Sequence, residues 1–213
     1  MRALGMADVP EDLAAAAART LQHYEDSARA FWEGTKDHDV TQNYAALLGA
    51  LGGPGPFSIL DLGCGPGRDL AYFRSLGHEA VGLDGCASFV EMARASSGCE
   101  VWHQSLLALS LPAARFDGVF ANASLFHVPS AVLPCVLREL GDALRPRGVL
   151  FASNPRGHGQ EGFSQGRYGV FHDLEGWRAF GEAAGFVEVT HYYRPVGRPR
   201  EEQPWLATVW RRA

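Results

Sequence analysis

The stretch Ile59-Leu60-Asp61-Leu62-Gly63-Cys64-Gly65-Pro66-Gly67-Arg68-Asp69 runs an apolar segment straight into three alternate glycines. Phe57–Leu62 has the length and character of a short strand, and Leu70–Leu76 beyond the turn reads as helix. Glycines at 63, 65 and 67 let the chain turn sharply and bring bare backbone against a ligand. About seventeen residues further on, Asp84 closes a second strand, Ala80-Val81-Gly82-Leu83-Asp84. A carboxylate there can accept hydrogen bonds from both hydroxyls of an adenosine ribose, each worth roughly 1.5–3 kcal/mol at best. The plainer reading makes the glycines mere turn residues and Asp84 a helix cap.

The same turn separates nucleotide classes. A dinucleotide fingerprint, G-x-G-x-x-G, needs a third glycine for close helix–strand packing, and that position holds Arg68. Pro66 also removes an amide donor, which disfavours cradling a pyrophosphate. A ligand with a ribose and no phosphate fits better, and a nicotinamide dehydrogenase is opposed.

Outward from this point, strand and helix alternate. Glu79–Leu83, Glu100–His103, Phe116–Ala121 and Val149–Ser153 read as strands, and Ser88–Ala95 and Ala131–Leu144 as helices. Apolar runs alternating with amphipathic helices imply parallel strands covered on both faces. Towards the end, Asp173 can cap a helix carrying Leu174, Trp177, Phe180 and Ala184. Phe186–Tyr193 and Leu206–Arg211 follow with no helix between them, so they can pair antiparallel at one edge. Before the glycine turn, Leu13, Leu21, Tyr24, Ala28 and Phe31-Trp32 recur at helical spacing, and Val40–Leu51 suggests a second helix. Gly34–Asp39 is a polar break, and Gly52–Pro56 a firm stop. Residues 1–53 are therefore expected to form a helical cap or lid on an α/β domain spanning 54–213.

Bulk properties narrow the function. The chain has 213 residues, 46% hydrophobic and 20% charged, with a net charge of -5. That balance offers no basic face for duplex DNA or bulk RNA, so no nucleic-acid partner is expected. No apolar run approaches a membrane span, and Met1–Pro10 lacks the pattern of a secretory signal. Cys64, Cys86, Cys99 and Cys135 form no CxxC pair, which reads as reduced thiols in a cytoplasmic protein. No His/Cys cluster has metal-ligand spacing, and no metal is expected.

Asp61–Gly67 with Asp84 beyond it resembles the class I S-adenosylmethionine-dependent methyltransferases. The resemblance spans roughly Phe57–Ser153. It takes in Phe116-Asp117-Gly118-Val119-Phe120-Ala121, Leu125-Phe126-His127-Val128-Pro129 and Leu144-Arg145-Pro146-Arg147-Gly148-Val149-Leu150, in the family's order. It implies a Rossmann-like α/β fold with a mostly parallel seven-stranded sheet, an antiparallel C-terminal strand and helices on both faces. Asp61, Gly63, Cys64, Gly65 and Gly67 would form the cofactor turn, Asp84 would hold the ribose, and Gly85 and Cys86 would pass near the adenine. Family members often carry an acid after the third strand, where this chain has Gln104-Ser105-Leu106. The adenine would then rest on backbone near Ser105 and Leu106. Tyr24 reads either as a contact to the cofactor's carboxylate or as a core tyrosine.

Ligands of such sheets bind beyond the carboxyl ends of the strands. That rule gathers Asn122–His127, Asn154–Gly157 and, as a lid, Thr35–Tyr44. Asn122 is expected beside both the cofactor and the reacting groups. The Gly-rich Gly157–Gly169 reads as a mobile flap. Trp32, Asp37, Asp39, Phe126, Asn154, Arg156, Tyr168 and His172 are the candidate acceptor contacts. Aligning two reactants can supply roughly 7–11 kcal/mol of a barrier, and a general base about 3–5 kcal/mol. Positioning should therefore dominate. If a base exists, His127 and His38 lead, against plainer readings as a packed residue at a helix entrance and a solvated loop residue. The expected activity is methyl transfer to N, O or S of a small amine, imidazole or phenol, by a monomer or homodimer. A non-catalytic cofactor-binding regulator and a macromolecule-directed enzyme are the alternatives.

Overall fold

Leu60 and Leu62 point to one side of their strand and Ile59 to the other, and each side meets its own layer of helices. The computed structural model describes residues 9–213, so the reading of the first residues as lacking a signal falls largely outside the described residues. In chain order the elements are α1 (Glu11–Thr35), α2 (Thr41–Leu51), β1 (Ser58–Leu62), α3 (Arg68–Ser75), β2 (Glu79–Asp84), α4 (Ala87–Ser97) and β3 (Glu100–His103). Then come β4 (Phe116–Asn122), a short 3-10 turn at Leu125–His127, α5 (Leu133–Ala143) and β5 (Leu144–Pro155). The chain finishes with β6 (Gln160–Ser164), β7 (Arg167–Phe171), α6 (Leu174–Ala183), β8 (Phe186–Arg194) and β9 (Trp205–Arg212).

Seven strands form one sheet in the order β3-β2-β1-β4-β5-β9-β8. The neighbours from β3 to β5 pair parallel, and β9 runs antiparallel to both β5 and β8. This is the expected Rossmann-like architecture. Strand order reverses between β1 and β4, which opens a crevice at their carboxyl ends. On one face, α5 and α6 bury Leu133, Leu137, Leu140 and Trp177 against Leu60, Leu62, Val119 and Leu150. On the other, α2, α3 and α4 bury Tyr44, Leu47, Leu70, Phe73 and Val90 against Ile59, Phe120 and Phe151. Each such side chain contributes roughly 1.5–3 kcal/mol of transfer free energy, so both faces hold the strand ends rigidly.

The segment read as a glycine-rich flap folds as a hairpin, β6–β7. Ser164 pairs with Arg167 across a two-residue turn whose central residues, Gln165 and Gly166, both have positive φ (50° and 82°). That backbone twist suits a tight hairpin, and glycine supplies half of it at no steric cost. The hairpin docks on α1, where the Tyr168 amide donates to Thr20 Oγ1 at 2.9 Å. A side chain on Gly166 would come within 2.6 Å of the His23 ring. A glycine-rich polar run looks like a loop in one dimension, but here its backbone finds partners on a helix about 150 residues earlier.

Asp173 caps α6 as expected, accepting from the Gly176 amide at 2.8 Å. Tyr192 faces the α2 side of the sheet, while His191 and Tyr193 share the other.

Candidate active site

The cradle is made by absent side chains. Gly63 has φ +70°, and a Cβ built on it would lie 2.4 Å from the Ser124 Cβ, so the ends of β1 and β4 touch through bare backbone. Gly67 has φ +93° at the N-cap of α3, and its missing Cβ would meet the Ala93 Cα of α4 at 2.7 Å. Close helix packing is thus assigned to Gly67, and position 68 is left to a charged side chain. Arg68 turns back to form a two-point pair with Asp69 (2.7 and 3.1 Å) and donates to the Thr35 carbonyl at 2.9 Å. The end of α1 is thereby tied to the glycine turn.

Asp84 ends β2 almost fully buried, at 8% exposure. Its Oδ2 accepts from the Gly65 amide and its Oδ1 from the Cys86 amide, each at 2.9 Å. Cys86 is the N-cap of α4 and the helix has no side-chain capping bond, so Asp84 braces the turn before α4 and does not cap it. Burial pushes the Asp84 carboxyl up to about 6, against the two amides that favour its charge. Asp61 lies deeper, 1% exposed, with Oδ2 lacking any partner, and its carboxyl is raised well above the usual range by burial and by Asp69 beside it. Ser124 Oγ is a second buried oxygen without a partner. Such groups are costly to bury unmet, so their gathering at the glycine turn fits a polar, cationic ligand group that completes them.

Beyond β4, Asn122 sits in a polar network. It accepts from Asn43 at 2.9 Å and donates to Asp69 at 3.3 Å, and Tyr44 donates to the same Asp69 at 2.5 Å. His127 stands at the end of the 3-10 turn with both ring nitrogens engaged. Its Nδ1 lies 2.5 Å from the Tyr168 carbonyl, which can only accept, so Nδ1 carries the proton. Nε2 must then accept, and it does so from the Tyr24 hydroxyl at 2.8 Å. Arg167 Nη1 donates to the Tyr24 oxygen at 3.4 Å. Burial lowers His127 to about 4, with the Tyr168 carbonyl pulling the other way, so the imidazole is neutral near pH 7. Burial raises the Tyr24 phenol, and Arg167 opposes it.

These groups line one cavity of about 540 Å³. Of the residues singled out from sequence, Tyr24, Trp32, His38, Asp39, Gly63, Cys64, Gly65, Asp84, Gly85, Ser105, Leu106, Asn122, Phe126 and His127 lie on its wall. Asp61, Gly67 and Cys86 stand behind that wall as supports. Asp37 is exposed to solvent, outside the lining. Asn154 and His172 both line a separate small cavity that also touches Phe126, and Asn154 Oδ1 and His172 Nε2 have no partner among the described residues. Arg156 is spent on main-chain carbonyls, donating to Gln203 at 2.6 Å and also to Arg200. The Tyr168 side chain leaves the cavity and donates to Glu161 at 2.6 Å; what it gives the site is its carbonyl. Sequence reading missed Arg167 and Arg194, which both line the cavity, and saw in Arg68 only a missing glycine. Among the described residues, no group of three His, Cys, Asp or Glu side chains is placed to hold a metal. Among the described residues, no helix is long and apolar enough to cross a membrane.

Known proteins resemble this chain in sequence and in fold. Residues 59–148 match a family described as a methyltransferase domain. A trans-aconitate 2-methyltransferase from Azoarcus is 37% identical over 105 residues, covering 47% of this chain and 40% of that protein. A malonyl-[acyl-carrier protein] O-methyltransferase from Salmonella typhimurium is 30% identical over 189 residues, covering 79% of this chain and 69% of its own. Several curated relatives are matched over only about half their length or less, 40% and 51% in two of them. Among solved structures, a Burkholderia thailandensis 1,6-didemethyltoxoflavin-N1-methyltransferase superposes with a TM-score of 0.77 at 24% identity, covering 96% of this chain and 91% of that one. The chain belongs to the class I S-adenosylmethionine-dependent methyltransferases.

Proposed function

We propose that this protein transfers a methyl group from S-adenosylmethionine to a nitrogen, oxygen or sulfur of a small molecule, leaving S-adenosylhomocysteine. The observation that carries the reading is the continuity of one cavity from Asp84 and Gly85, past Gly63 and Gly65, to Asn122, Phe126 and His127. Its volume falls in the range of about 300–1,000 Å³ usual for small-molecule sites.

The residues fit the cofactor in kind. Asp84 would take the ribose hydroxyls on its remaining lone pairs, and Gly63 and Gly65 would pass bare backbone beside the amino-acid portion. Asp61, behind them, would supply negative charge only once a bound ammonium group offsets the burial that raises its carboxyl. Ser105 and Leu106 bound the far end, opposite Leu21 of α1. When bound, the cofactor supplies an electrophilic methyl on a sulfonium. The chain's part is to orient the acceptor and keep water out, with Trp32, Phe126 and Trp205 as apolar wall. His127 holds no free lone pair, because Tyr24 occupies Nε2, so any proton it takes must come by way of the Tyr24 hydroxyl. The geometry favours positioning over proton abstraction. Four free thiols, with Cys64 and Cys86 buried, suit a reducing compartment such as the cytoplasm.

Incubating the protein with isotope-labelled cofactor and a metabolite extract, followed by mass spectrometry, should yield a labelled small molecule. Tight binding of S-adenosylhomocysteine with no labelled product from any extract would favour a cofactor-binding regulator instead.

A further inference from the structure

The wall of the cavity carries a guanidinium that, among the described residues, meets the hydroxyl and the ring of Tyr24 but no carboxylate. Arg167 projects from the first position of β7 and is only half-buried, yet among the described residues its guanidinium makes a single hydrogen bond, the 3.4 Å contact to Tyr24. No carboxylate of the described residues lies within ion-pair distance of it. Arg68, at the glycine turn, behaves differently, for it is neutralised by Asp69 at 2.7 Å. A guanidinium has five donors in a rigid planar fork that matches a carboxylate in two-point geometry. The hairpin that carries Arg167 is held by the Thr20–Tyr168 bond and by the close approach of Gly166 to His23, so the fork is placed in advance. Arg194 also lines the cavity and, among the described residues, donates one hydrogen bond, to the Asp39 carbonyl at 3.0 Å, with the Asp39 carboxylate close enough to feel its charge.

A second observation concerns the proton. Of the two imidazoles that line the cavity, His127 has both nitrogens committed, Nδ1 to the Tyr168 carbonyl and Nε2 to the Tyr24 hydroxyl, and His38 is exposed to solvent. A neutral phenol or thiol, or a protonated amine, needs a base. An ionised carboxylate does not.

We propose that the acceptor is a carboxylic acid, recognised through its ionised carboxylate by Arg167 and methylated on that group. One carboxylate oxygen bonds to the methyl carbon as the carbon–sulfur bond breaks with its electron pair staying on sulfur, and no proton has to leave. The product is a methyl ester. This rests on the methyltransferase reading above and narrows its acceptor. Aconitate, named for the Azoarcus relative, is itself a carboxylic acid.

The test begins with calorimetry on the complex with S-adenosylhomocysteine, titrated with trans-aconitate, malonate and benzoate and with the amide of each. At least one acid should bind at least tenfold tighter than its amide, and Arg167→Gln should weaken it by roughly ten- to a hundredfold. Arg167→Lys, which keeps the charge without the fork, should recover part of that affinity and guards against a folding defect in the first variant. S-adenosylhomocysteine affinity should stay within about twofold in both variants. A tenfold loss there would assign Arg167 to the cofactor's own carboxylate and overturn the proposal. So would acids and amides binding alike, or failing alike, across the panel. Labelled product made from the acid that binds should release its methyl as methanol in mild alkali, and an alkali-stable label overturns the methyl-ester assignment. A wild-type protein that fails to bind S-adenosylhomocysteine at all would instead sink the methyltransferase reading itself.

Discussion

Lowering the pH from 7 to 5 should weaken S-adenosylhomocysteine binding by about tenfold, through one carboxyl group. Burial lifts Asp84 to about 6, and only its ionised form keeps both oxygens as acceptors for ribose hydroxyls while Gly65 and Cys86 donate to them. With that midpoint roughly nine in ten molecules are ionised at pH 7 and one in ten at pH 5, a difference of about 1.3 kcal/mol in binding. The same group works on stability in the opposite sense. Its folded-state value is raised, so the folded chain holds this proton more firmly than the unfolded chain does. Its contribution is most favourable below the ordinary carboxylate value and is lost as pH rises towards 6. Keeping Asp84 ionised at neutral pH then costs the ligand-free fold about 3 kcal/mol. Calorimetric titration between pH 5 and 7.5 checks the binding arm, with Asp84→Asn as control, whose affinity should be weak and nearly flat with pH. An affinity in the wild-type protein that stays level from pH 7 to 5, with circular dichroism showing it folded throughout, would refute the account of Asp84.

Other positions give sharper single outcomes. Gly63→Ala puts a methyl 2.4 Å from the Ser124 Cβ in a positive-φ backbone, and should cost roughly 2 kcal/mol or more in urea unfolding; Ser124→Gly in the same chain should recover part of it. His127, lowered to about 4, favours the folded state fully above pH 6.5 and loses that contribution as pH falls towards 4, up to about 3 kcal/mol. His127→Gln should remove that slope, and equal acid sensitivity in the two proteins would count against it. Amides of β6 and β7 should resist hydrogen exchange before any ligand is added, and Thr20→Val should raise their exchange several-fold by removing the acceptor for the Tyr168 amide.

The parts of this molecule that were readable in one dimension are those fixed by neighbours in the chain. The glycine turn, Asp84 at a strand end and the capping of α6 by Asp173 each depend on residues within a few positions of one another. The parallel sheet with its antiparallel edge followed because apolar runs separated by helices admit few arrangements, while the strand order itself came only from the structure. What escaped notice depends on distant contacts. Ser164-Gln165-Gly166-Arg167 carries the signature of a two-residue hairpin turn, but its polar flanks hide the alternation that marks a strand. Arg167 acquires its meaning only when that hairpin lands on α1 beside Tyr24. Asn154 and His172 line a small cavity of their own with Phe126, apart from the main one. Tyr168 reads in sequence as an aromatic acceptor contact, whereas its carbonyl is what meets His127.

That carbonyl has an effect on how the site can change. Because the imidazole is oriented by main chain, any amino acid at 168 would present the same oxygen, so the tautomer of His127 is insulated from drift in the side chain there. Adding or deleting one residue between Gln160 and Phe171 is a different matter. Such a frameshift of the ribbon would carry the oxygen away and turn Arg167 outward in the same stroke, so recognition and imidazole orientation would fail together.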